Sequence, residues 1–107
     1  MNCETAVGDV MDAGSLVEAM RGVDVVFHAA AVADYWRADK DRIYQVNVEG
    51  TRNVMNAAKA SGVQRVVFTS SVGALGMPRF GEKLDETARF NMRPEQFHYG
   101  YSKVLAE

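Results

Sequence analysis

Two short runs decide what this chain can fold into. Val23-Asp24-Val25-Val26-Phe27 and Arg65-Val66-Val67-Phe68-Thr69 are rich in β-branched residues and almost wholly apolar, with no in/out alternation. Strands of that kind are buried on both faces, the habit of a parallel sheet covered by helices. Between them, about Asp39 to Ala60 carries a helical pattern that Ser61-Gly62 ends as a left-handed stop. Strand, helix and strand make a βαβ unit, whose crossover is right-handed. Upstream, Asp12 is placed to cap a short helix carrying Leu16, Val17 and Met20 before Gly22, and Cys3 to Val7 is a weak candidate for a third strand. Downstream, a loop with Gly73, Gly76, Pro78 and Gly81 leads to Pro94, and a last helix begins near Glu95.

Composition narrows the function classes. At 107 residues there is room for one domain and one core. A net charge of −2 with charged residues at 24% leaves no basic field for nucleic acid. The apolar runs are too short to span a bilayer and the amino terminus has no charged-then-apolar secretory pattern, so a cytoplasmic protein is expected. Cys3 alone cannot form an internal disulfide, and two isolated histidines add no zinc spacing, so no metal site is expected.

Against that background three places stand out. Stepping by three or four from Ile43 along the middle helix reaches Asn47, Gly50, Val54 and Ala57 or Ala58, so an asparagine points inward. Either neighbouring backbone satisfies its amide, or the amide links that backbone or a water to a site at the sheet edge. The second strand ends in Thr69-Ser70-Ser71, and the first in His28-Ala29-Ala30-Ala31. In open parallel sheets ligands bind outside the carboxyl ends of the strands. Hydroxyls there face a crevice, or merely close the strand, while small residues let a flat ligand approach the backbone. His28 reads as a strand-end residue rather than a base. Lastly, Tyr99 and Lys103 stand four apart on a helix and share a face, with Tyr101 pointing elsewhere. Either an ammonium beside a phenol favours the phenolate, which makes the tyrosine a usable proton donor and acceptor, or the two form only a surface pair, as a single match of this spacing arises readily by chance.

In order along the chain, Gly8-Asp9-Val10, His28-Ala29-Ala30-Ala31, Asn47-Val48-Glu49-Gly50-Thr51, Phe68-Thr69-Ser70-Ser71 and Tyr99-Gly100-Tyr101-Ser102-Lys103 resemble an extended short-chain dehydrogenase/reductase, of the NAD-dependent epimerase/dehydratase kind. The stretch VNVEGTRNVMNAAKASGVQRVVFTSSVGALG is closest in tone to dihydroflavonol reductase-like and hopanoid-associated sugar epimerase-like members. The resemblance implies a three-layer, Rossmann-like α/β fold, incomplete over residues 1–107, with about three strands and flanking helices. It implies NAD or NADP as cofactor and a small-molecule substrate. Tyr99 would be the general acid/base, Lys103 would bind the nicotinamide ribose and lower the tyrosine pKa, Ser71 would hydrogen-bond the substrate oxygen, and Asn47 would support a proton relay. Asp9 and Val10 would lie against adenine; Ala29, Ala30, Ala31, Thr69 and Ser70 would line the cofactor cleft. Tyr35, Trp36 and Met77 to Phe80 would sit on loops facing substrate.

The chain also departs from that pattern. The family opens with a strand and a glycine-rich turn that seats a pyrophosphate on a helix amino terminus, and the nine glycines here form no G-x-G-x-x-G. Nor do the residues after Lys103 build a substrate lobe. The expectation is the middle of such an enzyme, either an oxidoreductase or epimerase in type, or a catalytically silent structural piece. A non-enzymatic dinucleotide sensor is a third reading. Missing neighbours would also leave the Val23 to Phe27 edge open, to be met by the Cys3 segment or by a second copy of the chain.

Overall fold

The coordinates are a computed structural model that describes residues 2–34 and 39–107. Asp12 caps the first helix, α1 (Ala13–Ala19), its carboxylate accepting the amides of Gly14 and Ser15 at 3.0 and 3.2 Å. Gly22, at φ +71°, turns the chain into strand β1 (Val25–His28). The middle helix is continuous but not uniform. It comprises α2 (Lys40–Tyr44), a wider π-turn at Gln45–Glu49, and α3 (Gly50–Ala60), which stops at Gly62 with φ +73°. Strand β2 (Arg65–Phe68) follows and pairs with β1 in parallel, with Val25 opposite Arg65 and His28 opposite Phe68. Two short 3₁₀ turns, Val72–Leu75 and Pro94–Gln96, precede the last helix, α4 (His98–Ala106).

The core gathers Met20, Val54, Ala57 and Ala58, with Val10, Leu16, Val26, Val63 and Val66 packed against it. It therefore lies between α1, α3 and one face of the sheet. Gly50 permits part of this closeness: a Cβ there would come within 2.7 Å of Val10 Cγ2, so the start of α3 and the Val10 segment can touch only through a bare backbone. Asn53 completes the join by donating from Nδ2 to the Val10 carbonyl at 2.9 Å.

Two expectations need correction. Residues 3–7 form no strand; they are exposed and do not pair with β1, because a short segment gains nothing from extended pairing without a buried face. The strands are not covered on both sides. Alternation sends Val26, His28, Val66 and Phe68 toward the helices and leaves Val25, Phe27 and Val67 on the other face, Phe27 being 75% exposed. Of the three layers the fold implies, the chain supplies the sheet and the helices of one side. Its surface of 7977 Å² reflects this, since a monomer of this mass exposes roughly 5,900 Å². The strand edge of β1 away from β2 is open among the described residues. Also among them, no helix is long and apolar enough to cross a membrane, and no cluster of His, Cys, Asp and Glu could hold a metal.

Candidate functional site

Both strands release the chain at the same edge, because they are parallel and in register at His28 and Phe68. The ladder runs one residue further, from the Thr69 amide to the His28 carbonyl at 2.9 Å. Ala29 and Ala30 are exposed there and Ala31 is half-buried, so small side chains flank the rim. Ser71, in extended backbone, caps the turn Val72–Leu75, its Oγ accepting the Gly73 amide at 3.1 Å.

Helix α4 reaches this rim by an unusually close approach. A Cβ on Gly100 would lie 2.8 Å from the Gly73 carbonyl oxygen and 2.5 Å from Phe97 Cδ1, and one on Gly73 would lie 2.9 Å from Phe97 Cε1. Two glycines thus let backbone meet backbone, with the Phe97 ring packed against both. Tyr99, adjacent to Gly100 in sequence and buried, is carried to the turn that begins at Ser71. Gly100→Ala is expected to lower stability by about 1–3 kcal/mol, since carbonyl and ring must both move. A thermal midpoint equal to the parent's would contradict the contact.

One turn further along α4, Lys103 is 3% exposed. Its Nζ donates to the Thr69 carbonyl at 2.7 Å and lies 4.7 Å from the centre of the Phe68 ring. Burial holds its pKa below the usual lysine value, partly offset by the carboxylate of Glu107. An ammonium carries three donors, and among the described residues Thr69 is its hydrogen-bond acceptor, so donors remain beside the rim. Ser70 Oγ is hydrogen-bonded to Glu107.

Asn47 is 1% exposed and fully engaged. Its Oδ1 accepts the Val32 amide at 2.8 Å; its Nδ2 donates to the Val32 carbonyl at 3.1 Å and to Ser102 Oγ at 2.9 Å. Ser102, 0% exposed, donates in turn to the Tyr99 carbonyl at 2.7 Å. Asn47 therefore clamps the loop after Ala31 to the helix of Tyr99. Asp9 and Val10 stand apart from this cluster, at the amino end of α3. The Asp9 carboxylate accepts the Met11 amide at 2.9 Å, and its own amide donates to Ser15 Oγ.

Sequence reasoning missed Ser102, Asn53 and the role of His28. His28 ends β1 as expected, and it is buried, with Nε2 2.9 Å from Thr51 Oγ1. A polar residue on the inward register of β1 was the available signal. Burial, then the Lys103 cation, hold the His28 pKa below its ordinary value. The unfolded chain therefore takes up this proton first, near pH 6.5, and folding stability contributed by the neutral ring is lost as pH falls below that point. Urea unfolding across pH 5 to 8 is expected to show this loss, with a shallower slope in His28→Gln; identical slopes would contradict it.

Met77 and Phe80 are exposed, and Asn91 holds the loop by accepting the Met77 amide at 2.9 Å and donating to its carbonyl at 2.8 Å. Tyr35 and Trp36 lie outside the described residues.

Comparison with known proteins gives this rim a context. All 107 residues match the 3-beta hydroxysteroid dehydrogenase/isomerase family. A Synechocystis protein provisionally named a dihydroflavonol 4-reductase is 39% identical over 94% of this chain and 29% of its own length. An Escherichia coli O157:H7 N-acetyl-alpha-D-glucosaminyl-diphospho-ditrans,octacis-undecaprenol 4-epimerase is 39% identical over 96% of the chain and 30% of its own length. The structure of UDP-glucose 4-epimerase from Brucella ovis in complex with NAD superposes with a TM-score of 0.81 at 31% identity, over 92% of this chain and 30% of that one. The chain spans about three tenths of the length of these relatives.

Proposed function

The chain belongs to the 3-beta hydroxysteroid dehydrogenase/isomerase family, and from that premise we propose that it carries the proton-transfer half of an NAD(P)-dependent oxidoreductase or epimerase. The observation that carries the reading is the Gly100 to Gly73 approach, which brings the helix of Tyr99 and Lys103 against the turn begun by Ser71.

Within this reading Tyr99 exchanges a proton with the carbonyl or hydroxyl oxygen of a small-molecule substrate, and Ser71 Oγ holds that oxygen. Lys103, buried and donating to the Thr69 carbonyl at the rim, binds the nicotinamide ribose. Asn47 keeps the Val32 loop and α4 at fixed separation. Ala29, Ala30, Ala31, Thr69 and Ser70 line the cleft, and Asp9 and Val10 meet the adenine end. When bound, the nicotinamide dinucleotide accepts or supplies hydride at the substrate carbon. The residues present fit the nicotinamide end of such a cofactor; a pyrophosphate cradle is not found among them, since the glycines form no phosphate loop. A second reading takes these residues alone as a silent structural piece.

The open edge of β1 beside Val25 and Phe27 supports association with a second copy of the chain. Light scattering should give more than the monomer mass at working concentration, and a monodisperse monomer would exclude it. Titration with NAD(H) and NADP(H) tests the enzymatic reading: saturable binding together with turnover of a carbonyl or hydroxyl substrate supports it, whereas no binding by the full protein ends it.

A further inference from the structure

A buried chain of hydrogen bonds runs from the end of β1 to the backbone of Tyr99, and its origin is a side chain that the proposed chemistry does not use. Thr51 Oγ1 donates its proton to the Asn47 carbonyl at 2.7 Å. A hydroxyl has one proton, so toward His28 that oxygen must accept, and the ring is assigned the Nε2–H tautomer by its network. Beyond Asn47 the chain continues through Nδ2 to Ser102 Oγ, and from Ser102 to the Tyr99 carbonyl. His28 and Thr51 are each 4% exposed. All four linked side chains are buried.

The links join the end of β1 to α3, the π-turn and α4. The carbonyl that Thr51 engages belongs to that turn, where the Gly50 amide reaches back five residues to the Gln45 carbonyl. Such a turn departs from the α-helical ladder and is held by what surrounds it. The hydroxyl orients the Asn47 backbone, the Asn47 amide fixes Val32 and Ser102, and Ser102 fixes the main chain of Tyr99.

We propose that His28 is a positioning residue which, by donating from Nε2 to Thr51, holds Asn47, the Val32 loop and the Tyr99 backbone in the arrangement the reaction needs. This rests on the enzymatic reading above for its effect on turnover, but its geometric part does not. The charged group facing His28 is Lys103 from α4; Thr51 faces it from α3 and the Phe68 ring, 5.6 Å away centre to centre, from β2. A second cation beside Lys103 is disfavoured, which keeps the ring neutral while it donates.

Two measurements on the full protein test the idea. Nitrogen-15 NMR should find His28 as a neutral Nε2–H tautomer at pH 6.5, and amide exchange at Val32 should accelerate at least tenfold in His28→Leu and Thr51→Val. His28→Gln, whose amide can donate to Thr51, and Thr51→Ser should restore protection, and the Met20 amide in the core should be unaffected in all four. An Nδ1–H tautomer, or unchanged Val32 exchange in His28→Leu, overturns the proposal. Turnover should follow the same order, with kcat lowered about tenfold or more in His28→Leu and Thr51→Val, KM for the dinucleotide little changed, and both rescued variants near the parent. Altered exchange with unchanged kcat rejects the catalytic consequence. If the parent itself has no turnover, the enzymatic reading fails and the exchange result still decides the geometry.

Discussion

Tyr99→Phe is expected to lower kcat of the full protein by roughly 10²–10⁴-fold while dinucleotide binding stays within about twofold. The change removes one oxygen and keeps the ring, which packs 6.1 Å from that of Phe97. The backbone of residue 99 is held by Ser102 whatever its side chain, so the variant should remain in place. Tyr101→Phe is the control. That side chain faces the rings of Tyr44 and Phe90, at 6.5 and 5.6 Å, away from the rim, and its loss should leave kcat near the parent. Equal losses in the two variants would point to folding rather than proton transfer, and an unimpaired Tyr99→Phe would remove the tyrosine from the chemistry.

The second large effect concerns stability. Asn47→Leu should cost about 2–4 kcal/mol, because it strands the amide and carbonyl of Val32 and removes the donor to Ser102 Oγ, which keeps its own bond to the Tyr99 carbonyl. Each buried polar group left without a partner costs roughly 1–3 kcal/mol, less what water recovers at the half-buried Val32. Leucine returns some apolar burial but no hydrogen bond. Against a typical total of about 5–15 kcal/mol the loss is severe. Urea unfolding measures it, and a difference below about 1 kcal/mol would mean that the clamp is ornamental.

What the sequence discloses divides by range. Asp12 as a cap, Gly22 and Gly62 as stops and the inward register of Ile43, Asn47 and Val54 are local consequences of side-chain chemistry, and they are legible. So is the pairing of two apolar runs as parallel strands. The contact between Gly73 and Gly100 is not, since a glycine in a loop and another in a helix announce no partner. Nor is the link from His28 to Thr51, because a histidine at a strand end looks the same whether it meets water or a buried hydroxyl. The bare face of Val25, Phe27 and Val67 misleads for a different reason. Unbroken apolar runs signal burial on both sides, and they do so even where the covering layer is not among the residues at hand.

The wide turn at Gln45–Glu49 carries one last consequence. Inward positions 43, 47, 51, 54 and 58 stay on one face of the helix through the wide turn. This stretch is consequently more sensitive to length than to spelling. Losing or gaining a single residue between Tyr44 and Gly50 would rotate everything after it by about 100°, pulling the asparagine from its partners although every other letter stayed the same.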